Sequence, residues 1–392
     1  MDKKGKILLV APEPFYTNRG TPIAIRNVLK ALSELGYEVD MITYPQGEHF
    51  SLPGLRIFRI ANLFRIKHVP IGASMRKVFL DLFLIPKIAW QLRENSYLCI
   101  HAVEEAALPA ILLAKKTTVP VIYDMQSSIP EQMMKYRICR GKTIQKIIHS
   151  FERWLIKNAD LIACSAGLEE YVQSIDPSAR VQRWLFPPLQ IDDSPDQSND
   201  LCQELGISVE TPVVLYTGTF EQYQGLDILL GSIPIVLSHV PNAVFIFIGA
   251  KDSKDTHYFK ESEEFQKSGV IRVLPRQPRD QVNRFLGIAD VVVSPREACK
   301  NLPLKIFDYM LSGRPIVATD SPSHRTVLAE DRAVLVKPTA NEMGEAISGL
   351  LKDREKAEQI GSAARDYAQK NFNWDNFMKD ISRLYDNVRA DS

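Results

Sequence analysis

Short apolar runs that alternate with helical segments are the feature of this sequence that most restricts its fold. In the second half these runs are rich in Val, Ile and Phe and are separated by segments with helical periodicity. They lie at residues 213–218, 243–249, 269–274, 289–295, 313–319 and 333–336. Strands of this kind that alternate with helices form a parallel sheet covered by helices on both faces. We therefore predict a doubly wound α/β domain.

The first half of the chain follows the same pattern. Residues 6–10 form an apolar run, residues 23–36 have helical periodicity and end at Gly36, and residues 37–45 form the next apolar run. Such a strand, helix and strand in succession predict a right-handed βαβ unit. The first half is therefore expected to form a second sheet of the same type.

The boundary between the two sheets is predicted from composition. Residues 187–212 are rich in Pro, Asp and Ser, which is typical of a linker between domains. A chain of 392 residues is also too long for a single core. We predict one domain at residues 1–190 and another at 191–371, and the apolar residues of 372–392 recur at the spacing of a helix.

Polar residues follow the strands of the first half, where a parallel sheet binds its ligands. His101 and Glu104 lie where one strand passes into a helix, and Asp124 ends the next strand. The carboxyl ends of parallel strands lie at one edge of the sheet, here called the carboxyl edge. We predict His101, Glu104 and Asp124 as candidate catalytic residues, although a lone His at this place can equally be structural. Gly20, in the loop after the first strand, is either a ligand-binding residue or a simple turn residue.

The segment 291–320 contains the clearest candidate binding residues. An apolar strand is followed by a polar loop and by a helix that begins near Pro303 and ends at Gly313. Lys305 and Asp308 are three residues apart and share a face of this helix. At the positive end of a helix this pair can bind a phosphate and a sugar hydroxyl. The alternative is a solvated ion pair.

The residues NLPLKIFDYMLSGRPIVATD, at 301–320, resemble the donor-binding segment of the retaining GT-B glycosyltransferases of group 1, also called family 4. The resemblance implies the GT-B fold, in which two Rossmann-like parallel-sheet domains face a central cleft and the last helix crosses back onto the first domain. It also implies that Asp308 binds the ribose of a nucleotide-sugar and that His101 contacts the donor sugar. Gly249 and Arg276 would lie beside the base.

Several positions depart from the family pattern. The family's two phosphate-binding cations are replaced by Thr219 and Gln224, the second acid by Lys300, and the second His by Val103. We therefore assign phosphate binding to four other features. These are the loop amides at Gly218 and Thr219, and the cations Lys300 and Lys305.

Neither a metal nor a cofactor is expected. The chain has no D-x-D motif and no compact set of His, Asp and Glu, which predicts metal-independent transfer with a nucleotide-diphosphate sugar as co-substrate. It also lacks the G-x-G-x-x-G and Y-x-x-x-K patterns of a nucleotide-sugar epimerase or dehydrogenase.

Charge is distributed unevenly along the chain. The first 190 residues carry 25 Lys and Arg against 17 Asp and Glu, a net +8, whereas the remainder carries 23 against 30, a net −7. Residues 51–95 interleave cations with Leu, Ile, Phe and Trp. This pattern predicts contact with an anionic membrane surface, and the alternative is a helix packed on the sheet. No segment is long and apolar enough for a signal sequence or a transmembrane helix.

The sequence thus predicts a cytoplasmic, peripherally membrane-associated glycosyltransferase with a lipid-linked or polysaccharide acceptor. Five scattered cysteines fit a reducing compartment. No nucleic-acid partner is expected. Because family residues are missing at Val103, Thr219, Gln224 and Lys300, the alternative is a non-catalytic member that binds sugars or acts as a scaffold in a glycan assembly complex.

Overall fold

The chain divides into two compact units in the computed structural model. Unit 1 comprises Met1–Phe186 and Trp374–Ser392, and unit 2 comprises Pro187–Asn373. The structure describes residues 4–17, 20–63, 65–66, 69, 75–133, 139, 141–184, 195–250, 259, 263–296 and 302–389.

Unit 1 contains strands and helices in regular alternation. Its strands are β1 (Lys6–Ala11), β2 (Glu38–Thr43), β3 (Leu55–Arg59), β4 (Cys99–Val103), β5 (Val121–Met125), β6 (Leu161–Cys164) and β7 (Val181–Arg183). Its helices are α1 (Gly20–Glu34), α2 (Met75–Glu94), α3 (Ala107–Ala114), α4 (Ile129–Met133), α5 (Lys142–Asn158), α6 (Ala166–Ile175) and α15 (Trp374–Arg389).

The described strands of unit 1 form one parallel sheet in the order β3-β2-β1-β4-β5-β6-β7. One face is covered by α2, α3, α5 and α6, whose apolar residues join a core with Leu8, Ile100 and Tyr123. The other face is covered by α1 and α15. Helices on both faces explain why the central strands β1, β4, β5 and β6 are buried almost completely, and they confirm the predicted doubly wound α/β class.

The helix α15 closes the second face of the sheet. Phe377, Ile381 and Tyr385 are buried in the same core as the residues of α1. At the start of α15, Trp374 Nε1 donates a hydrogen bond to Glu34 Oε2 at 2.8 Å. Unit 1 is therefore built from two distant parts of the chain.

Two strands of unit 1, β3 and β7, have no counterpart in the predicted pattern. β3 lies in the segment 51–95, which we interpreted as a basic amphipathic surface. Its Arg56 makes two hydrogen bonds with the buried Asp40 of β2, at 2.7 and 2.8 Å. Arg59 donates to the backbone carbonyls of Gln46 and Glu48 at 2.7 and 2.9 Å. These cations hold an edge strand in place, so for residues 55–59 the packing alternative is correct.

Unit 2 repeats the architecture with six described strands. The strands are β8 (Val213–Thr217), β9 (Val244–Ala250), β10 (Ile271–Pro275), β11 (Val291–Ser294), β12 (Ile316–Thr319) and β13 (Val334–Val336). The helices are α7 (Pro195–Leu205), α8 (Leu226–His239), α9 (Glu263–Lys267), α10 (Arg279–Ile288), α11 (Lys305–Ser312), α12 (Pro322–Arg325), α13 (Ala340–Lys352) and α14 (Arg354–Asn371).

The strands of unit 2 are parallel and lie in the order β10-β9-β8-β11-β12-β13. Each of them coincides with one of the six apolar runs predicted from the sequence, so the prediction of a second doubly wound sheet is confirmed. The helix α11 starts at Lys305 and ends at Gly313, which has a φ of 69°. A left-handed φ of this kind favours Gly, which explains the stop signal in the sequence.

The contribution of α15 can be measured selectively, because the four tryptophans, Trp90, Trp154, Trp184 and Trp374, lie in unit 1. The side chain of Ile381 is fully buried. We expect Ile381→Ala to lower the free energy of unfolding of unit 1 by about 2–5 kcal/mol, because it leaves a cavity. Urea unfolding followed by tryptophan fluorescence measures this. Lys379→Ala, an exposed position on the same helix, should change it by less than about 0.5 kcal/mol.

Candidate functional site

The strand order of each sheet marks the place where a ligand binds. In unit 2 the chain runs outward from β8 in one direction and from β11 in the other, so the loops after these neighbouring strands diverge. Such a reversal point leaves an uncovered crevice at the carboxyl edge. The loop after β8 contains Gly218 and Thr219, and the loop after β11 leads to Lys305 at the start of α11.

Glycines allow the loops at this edge to pack closely. Gly249 has a φ of 141°, and a Cβ on it would lie 1.8 Å from the carbonyl oxygen of Gly218. Gly225 has a φ of 67°, and a Cβ on it would lie 2.0 Å from the carbonyl oxygen of Pro295. Side chains at these positions would force the backbones apart. The glycines therefore hold the loop after β8 against β9 and against the loop after β11.

Lys305 has an unusual environment at the centre of this edge. Its Nζ is buried and lies 4.0 Å from the ring centroid of Tyr216. This Nζ has no hydrogen-bond partner among the described residues. A Cβ on Gly218 would lie 3.4 Å from the same Nζ. Burial lowers the pKa of Lys305 well below its usual value of 10.5, and the charge of Arg296 lowers it further. No described residue donates or accepts a hydrogen bond at this ammonium, so a bound anion would be favoured here.

The start of α11 is fixed to the sheet by hydrogen bonds. The backbone N–H of Thr217, at the end of β8, donates to Tyr309 Oη at 2.9 Å. Tyr216 Oη donates to the carbonyl oxygen of Thr219 at 3.0 Å. The ring of Tyr216, which faces the Lys305 ammonium, is thereby held by the loop after β8, for which we predicted phosphate binding. These hydrogen bonds connect α11, β8 and the loop after β8.

Arg296 is a second cation at this edge that the sequence did not single out. It is 6% exposed, and its guanidinium lies 5.1 Å from the ring centroid of Tyr223. Its carbonyl oxygen accepts a hydrogen bond from Thr319 Oγ1. The charge of this guanidinium acts on the buried Lys305 Nζ and lowers the pKa of Lys305. From the sequence alone, Arg296 is one charged residue of a polar loop, and its burial could not be predicted.

The neighbouring His324 is held neutral. Its pKa is lowered to about 4, first by burial and then by the charges of Lys305 and Arg296. The carbonyl of Thr319 can only accept, so Nδ1 of His324 donates to it at 2.8 Å. The other ring nitrogen, Nε2, then accepts from Ser294 Oγ at 3.0 Å. This network links the ends of β11 and β12 without adding a third charge.

The remaining predicted residues of unit 2 lie around this cluster. Gly218, Thr219 and Gly249 are brought together by the close approach of β8 and β9. Arg276 is exposed after β10, and its backbone N–H donates to the carbonyl oxygen of Ala250 at 3.1 Å. Asp308 is partly exposed in the first turn of α11. Lys300 lies outside the described residues.

Unit 1 has its own reversal point, between β1 and β4, and Glu104 lies there. Glu104 follows β4 with a φ of 51°, which is uncommon for a residue other than Gly and recurs at functional sites. Its carboxylate accepts hydrogen bonds from Ser127 Oγ at 3.0 Å and from Gln132 Nε2 at 3.3 Å. Burial raises the pKa of Glu104 well above its usual value of 4.5, and the charge of Glu105 raises it further.

A polar network surrounds Glu104 at the carboxyl edge of unit 1. The neighbouring Glu105 forms an ion pair with Lys77 of α2. Tyr44, just after β2, donates a hydrogen bond to Asp81 of the same helix. Burial raises the pKa of Asp81 to about 7, and the charge of Glu105 adds to the effect. Lys77 is thus a structural partner of Glu105 and not part of an exposed basic face.

His101 and Asp124 lie together on the opposite face of the sheet, under α15. His101 Nε2 is 3.2 Å from Asp124 Oδ2, and Nδ1 is 2.6 Å from Tyr385 Oη. The imidazole also lies 5.9 Å from the ring of Trp184, centroid to centroid. All of these side chains are buried. The contacts favour the structural alternative for His101, and catalytic roles for His101 and Asp124 stay predictions.

Gly20 begins α1 at the carboxyl edge of unit 1, after the loop that follows β1. It is exposed, and a Cβ on it would meet no atom within 4 Å. Neither its packing nor its backbone therefore requires a Gly. A turn role does not explain this residue, and ligand contact stays a prediction.

The described part of the chain contains no group of three or more His, Cys, Asp or Glu side chains placed to hold a metal ion. None of its helices combines the length and the apolar composition needed to cross a bilayer.

Comparison with known families and proteins gives a consistent result. The family model described as Glycosyl transferases group 1 matches residues 197–367, and that described as Glycosyltransferase Family 4 matches residues 19–184. The chain is 26% identical over 381 residues to sulfoquinovosyl transferase SQD2 of Arabidopsis thaliana, covering 94% of this chain and 70% of that protein. It is 20% identical over 394 residues to phosphatidyl-myo-inositol mannosyltransferase of Mycolicibacterium smegmatis, covering 98% and 94%. For three further relatives the match covers 66%, 58% and 49% of their length.

Solved structures share the fold over the whole chain. Sucrose-phosphate synthase of Thermosynechococcus elongatus matches with a TM-score of 0.80 and 19% identity, covering 99% of this chain and all of that one. HepE of Anabaena in complex with UDP-glucose matches with a TM-score of 0.73 and 16% identity, covering 98% of this chain. The predicted GT-B fold is confirmed by these likenesses.

The uncompensated charge of Lys305 has a consequence for stability. We expect Lys305→Met to raise the free energy of unfolding of unit 2 by about 1–3 kcal/mol at neutral pH, because it removes a buried amine that has no hydrogen-bond partner among the described residues. The folded pKa is lower than the unfolded one, so the unfolded chain binds more protons and the wild type gains stability as pH rises. The advantage of the variant should therefore shrink as the pH approaches 10.5.

Urea unfolding followed by circular dichroism measures this difference, and tryptophan fluorescence shows whether unit 1 is unchanged. Lys352→Met, at an exposed position of α13, is the matched control and should have little effect. Equal stabilities of Lys305→Met and wild type at neutral pH would contradict the burial of an unpaired ammonium.

Proposed function

This chain belongs to the GT-B glycosyltransferases of group 1, family 4, and we propose that it transfers a sugar from a nucleotide-diphosphate sugar to a lipid-linked or polysaccharide acceptor. Named relatives include a sulfoquinovosyl transferase and a phosphatidyl-myo-inositol mannosyltransferase. Both names refer to a transferred sugar, and the second refers to a lipid. HepE, which shares the fold, has been solved with UDP-glucose.

The observation that carries the proposal is the buried ammonium of Lys305 at the reversal point of unit 2. It lies beside Gly218 and has no hydrogen-bond partner among the described residues. We assign it to the donor diphosphate, with Arg296 as a second cation. Thr219 and Gln224 replace the cations that the family resemblance implies in the loop after β8. We propose that Lys305, at the start of α11, binds the diphosphate in their place.

The reaction needs a good leaving group at the anomeric carbon. When the bond between this carbon and the phosphate oxygen breaks, negative charge develops on the departing diphosphate. In our proposal Lys305, Arg296 and the backbone N–H groups near Gly218 stabilise that charge. Because they are fixed before the donor binds, little reorganisation is needed at the moment of transfer.

The acceptor hydroxyl must lose a proton as its oxygen bonds to the anomeric carbon. We assign this proton to Glu104 or to the leaving diphosphate. The carboxyl of Glu104 has a raised pKa, so its ionised form is a better base near neutral pH than an ordinary carboxylate. Its hydrogen bonds to Ser127 and Gln132 fix its orientation. The family resemblance implies transfer with retention of the anomeric configuration, which we include in the proposal.

The other donor contacts are assigned by the same resemblance. Asp308 binds the ribose hydroxyls, and Gly249 and Arg276 lie beside the base. Lys300 adds positive charge to the diphosphate, and Gly20 lies at the acceptor side. We also propose a cytoplasmic location at the surface of an anionic membrane.

A second candidate function is that of a non-catalytic member that binds nucleotide-sugars or acts as a scaffold in a glycan assembly complex. It is favoured by Thr219, Gln224 and Val103, which replace residues expected from the family pattern. Binding of a nucleotide diphosphate is expected in both cases. Turnover separates the two.

Nucleotide binding tests the donor site. We expect calorimetry with uridine and guanosine diphosphates to show binding of at least one of them. Lys305→Met should weaken it by about 10- to 100-fold, because a charge-assisted contact contributes about 1.5–3 kcal/mol. Asp308→Ala should weaken it similarly through the ribose. Lys352→Met is the control. Affinity that is unchanged in Lys305→Met would remove this residue from the donor site.

Turnover tests the transferase. Incubation with a panel of nucleotide-sugars and membrane extract should release nucleotide diphosphate, and a chelator should leave the rate unchanged. The reason is that the chain lacks a D-x-D motif and has Lys305 and Arg296 available for charge compensation. Release that stops in chelator and returns with magnesium or manganese would show that a metal is required. Nucleotide binding without release by any donor would favour the non-catalytic alternative.

A further inference from the structure

Exposed apolar side chains are concentrated on one side of unit 1. Among the described residues, the large apolar side chains that are 36–63% exposed on α2, α3 and α5 are Val78, Phe79, Leu82, Ile85, Trp90, Leu112, Ile144 and Ile147. Only Leu63, Val209 and Tyr223 are comparably exposed elsewhere in the described chain. These three helices pack side by side on one face of the sheet. Their outward sides, here called the outer face, therefore form one layer.

The outer face is also basic. Its exposed or partly exposed cations on the three helices and in the turn after α3 are Arg76, Lys87, Arg93, Lys115, Lys116, Lys142, Lys146, Arg153 and Lys157. The same helices carry few carboxylates. Glu152 is buried and accepts hydrogen bonds from Ser128 and Tyr171, and Asp81 accepts from Tyr44. Among their described acids, Glu94 is the exposed one.

Helix α2 has one set of apolar residues that packs on the sheet and a second set that faces outward. Leu80, Leu84 and Ile88 are buried against the sheet and already supply its packing face. Leu82 and Trp90 lie on the outward side, 57% and 47% exposed. A helix on a protein surface normally has polar residues there. A large exposed apolar surface with a charged rim indicates a binding partner.

We propose that the outer face binds the surface of an anionic lipid bilayer. Apolar side chains mixed with Lys and Arg on helices that lie flat on a surface are the composition of interfacial helices. Trp90 has an indole ring with Lys87 Nζ 4.3 Å from its centroid, and Trp is the residue favoured where apolar and aqueous regions meet. The near absence of carboxylates matches the negative potential of anionic lipids.

The outer face adjoins the candidate catalytic edge of unit 1. In the first turn of α2, Lys77 points inward to Glu105, next to Glu104, whereas Val78 and Phe79 are exposed. A lipid bound at the start of α2 would therefore lie close to Glu104. This step rests on the proposed function, since it makes a lipid-linked molecule the acceptor. Binding of the bilayer itself does not depend on it.

Flotation with vesicles tests the inference. The wild type should float with vesicles of phosphatidylglycerol mixed with phosphatidylcholine at low salt, should be partly released at high salt, and should bind phosphatidylcholine vesicles weakly. A triple variant Lys142→Gln, Lys146→Gln, Arg153→Gln should lower the partition coefficient by about 100-fold, that is about fivefold per cation. Its matched control is Lys352→Gln, Arg354→Gln, Lys356→Gln in unit 2, which changes the net charge equally.

The apolar contribution is tested separately. Leu82→Ser and Ile147→Ser, each alone, should lower binding at both salt concentrations, because burial of apolar area is not screened by salt. Val209→Ser, at a position that is 68% exposed in unit 2, is the control. Equal losses in the two triple variants would overturn the assignment to the outer face. So would a wild type that does not float, or outer-face variants that float like the wild type.

The outcome is distinguishable from failure of the proposed function. Lys305→Met should float like the wild type while it loses nucleotide diphosphate, and the outer-face variants should bind nucleotide diphosphate normally. If the wild type binds and uses a nucleotide-sugar but does not bind anionic vesicles, the proposed transferase function is supported and the bilayer proposal is wrong. A soluble acceptor then replaces the lipid.

Discussion

A buried ammonium without a hydrogen-bond partner among the described residues is the constraint around which unit 2 is arranged. The ammonium of Lys305 loses its hydration when α11 packs against β8, and the described residues place the ring of Tyr216 and the cation of Arg296 near it. A cation–π contact contributes about 2 kcal/mol when desolvated, which is less than the desolvation of an ammonium costs. The rest of the unit must stabilise this arrangement. It does so through close backbone contacts at Gly218 and Gly225 and through the Tyr309 hydrogen bond.

Parallel topology explains why the charge lies at this particular place. Strand order reverses between β8 and β11, so the two following loops cannot cover each other. A helix that starts at such a point directs its unpaired N–H groups toward the opening. Lys305 is the first residue of α11 and shares this location. Fold and charge therefore favour the same ligand, an anion, for independent physical reasons.

The sequence predicted the sheets better than the environments of single side chains. The six described strands of unit 2 were predictable because parallel strands covered on both faces are rich in apolar residues, and four of them, β8, β9, β11 and β12, are almost completely buried. β3 was missed because its Arg56 and Arg59 look like a solvated basic face until the positions of Asp40 and the Gln46 carbonyl are known. The place of Lys305 at the start of a helix predicts phosphate binding, and this role stays a prediction. The burial of its Nζ without a hydrogen-bond partner among the described residues, like the burial of Arg296, depends on packing between distant segments.

The same limit applies to the acids of unit 1. His101 and Glu104 are three residues apart, yet a strand turns successive side chains to opposite faces and Glu104 begins a turn with positive φ. His101 is therefore enclosed under α15 with Asp124, while Glu104 lies at the carboxyl edge beside Ser127. Because the two residues are so close in the sequence, the sequence did not predict that their surroundings differ. Burial and the charge of Glu105 raise the pKa of Glu104, and Ser127 and Gln132 fix the orientation of its carboxylate, which are properties that favour its proposed role as a proton acceptor.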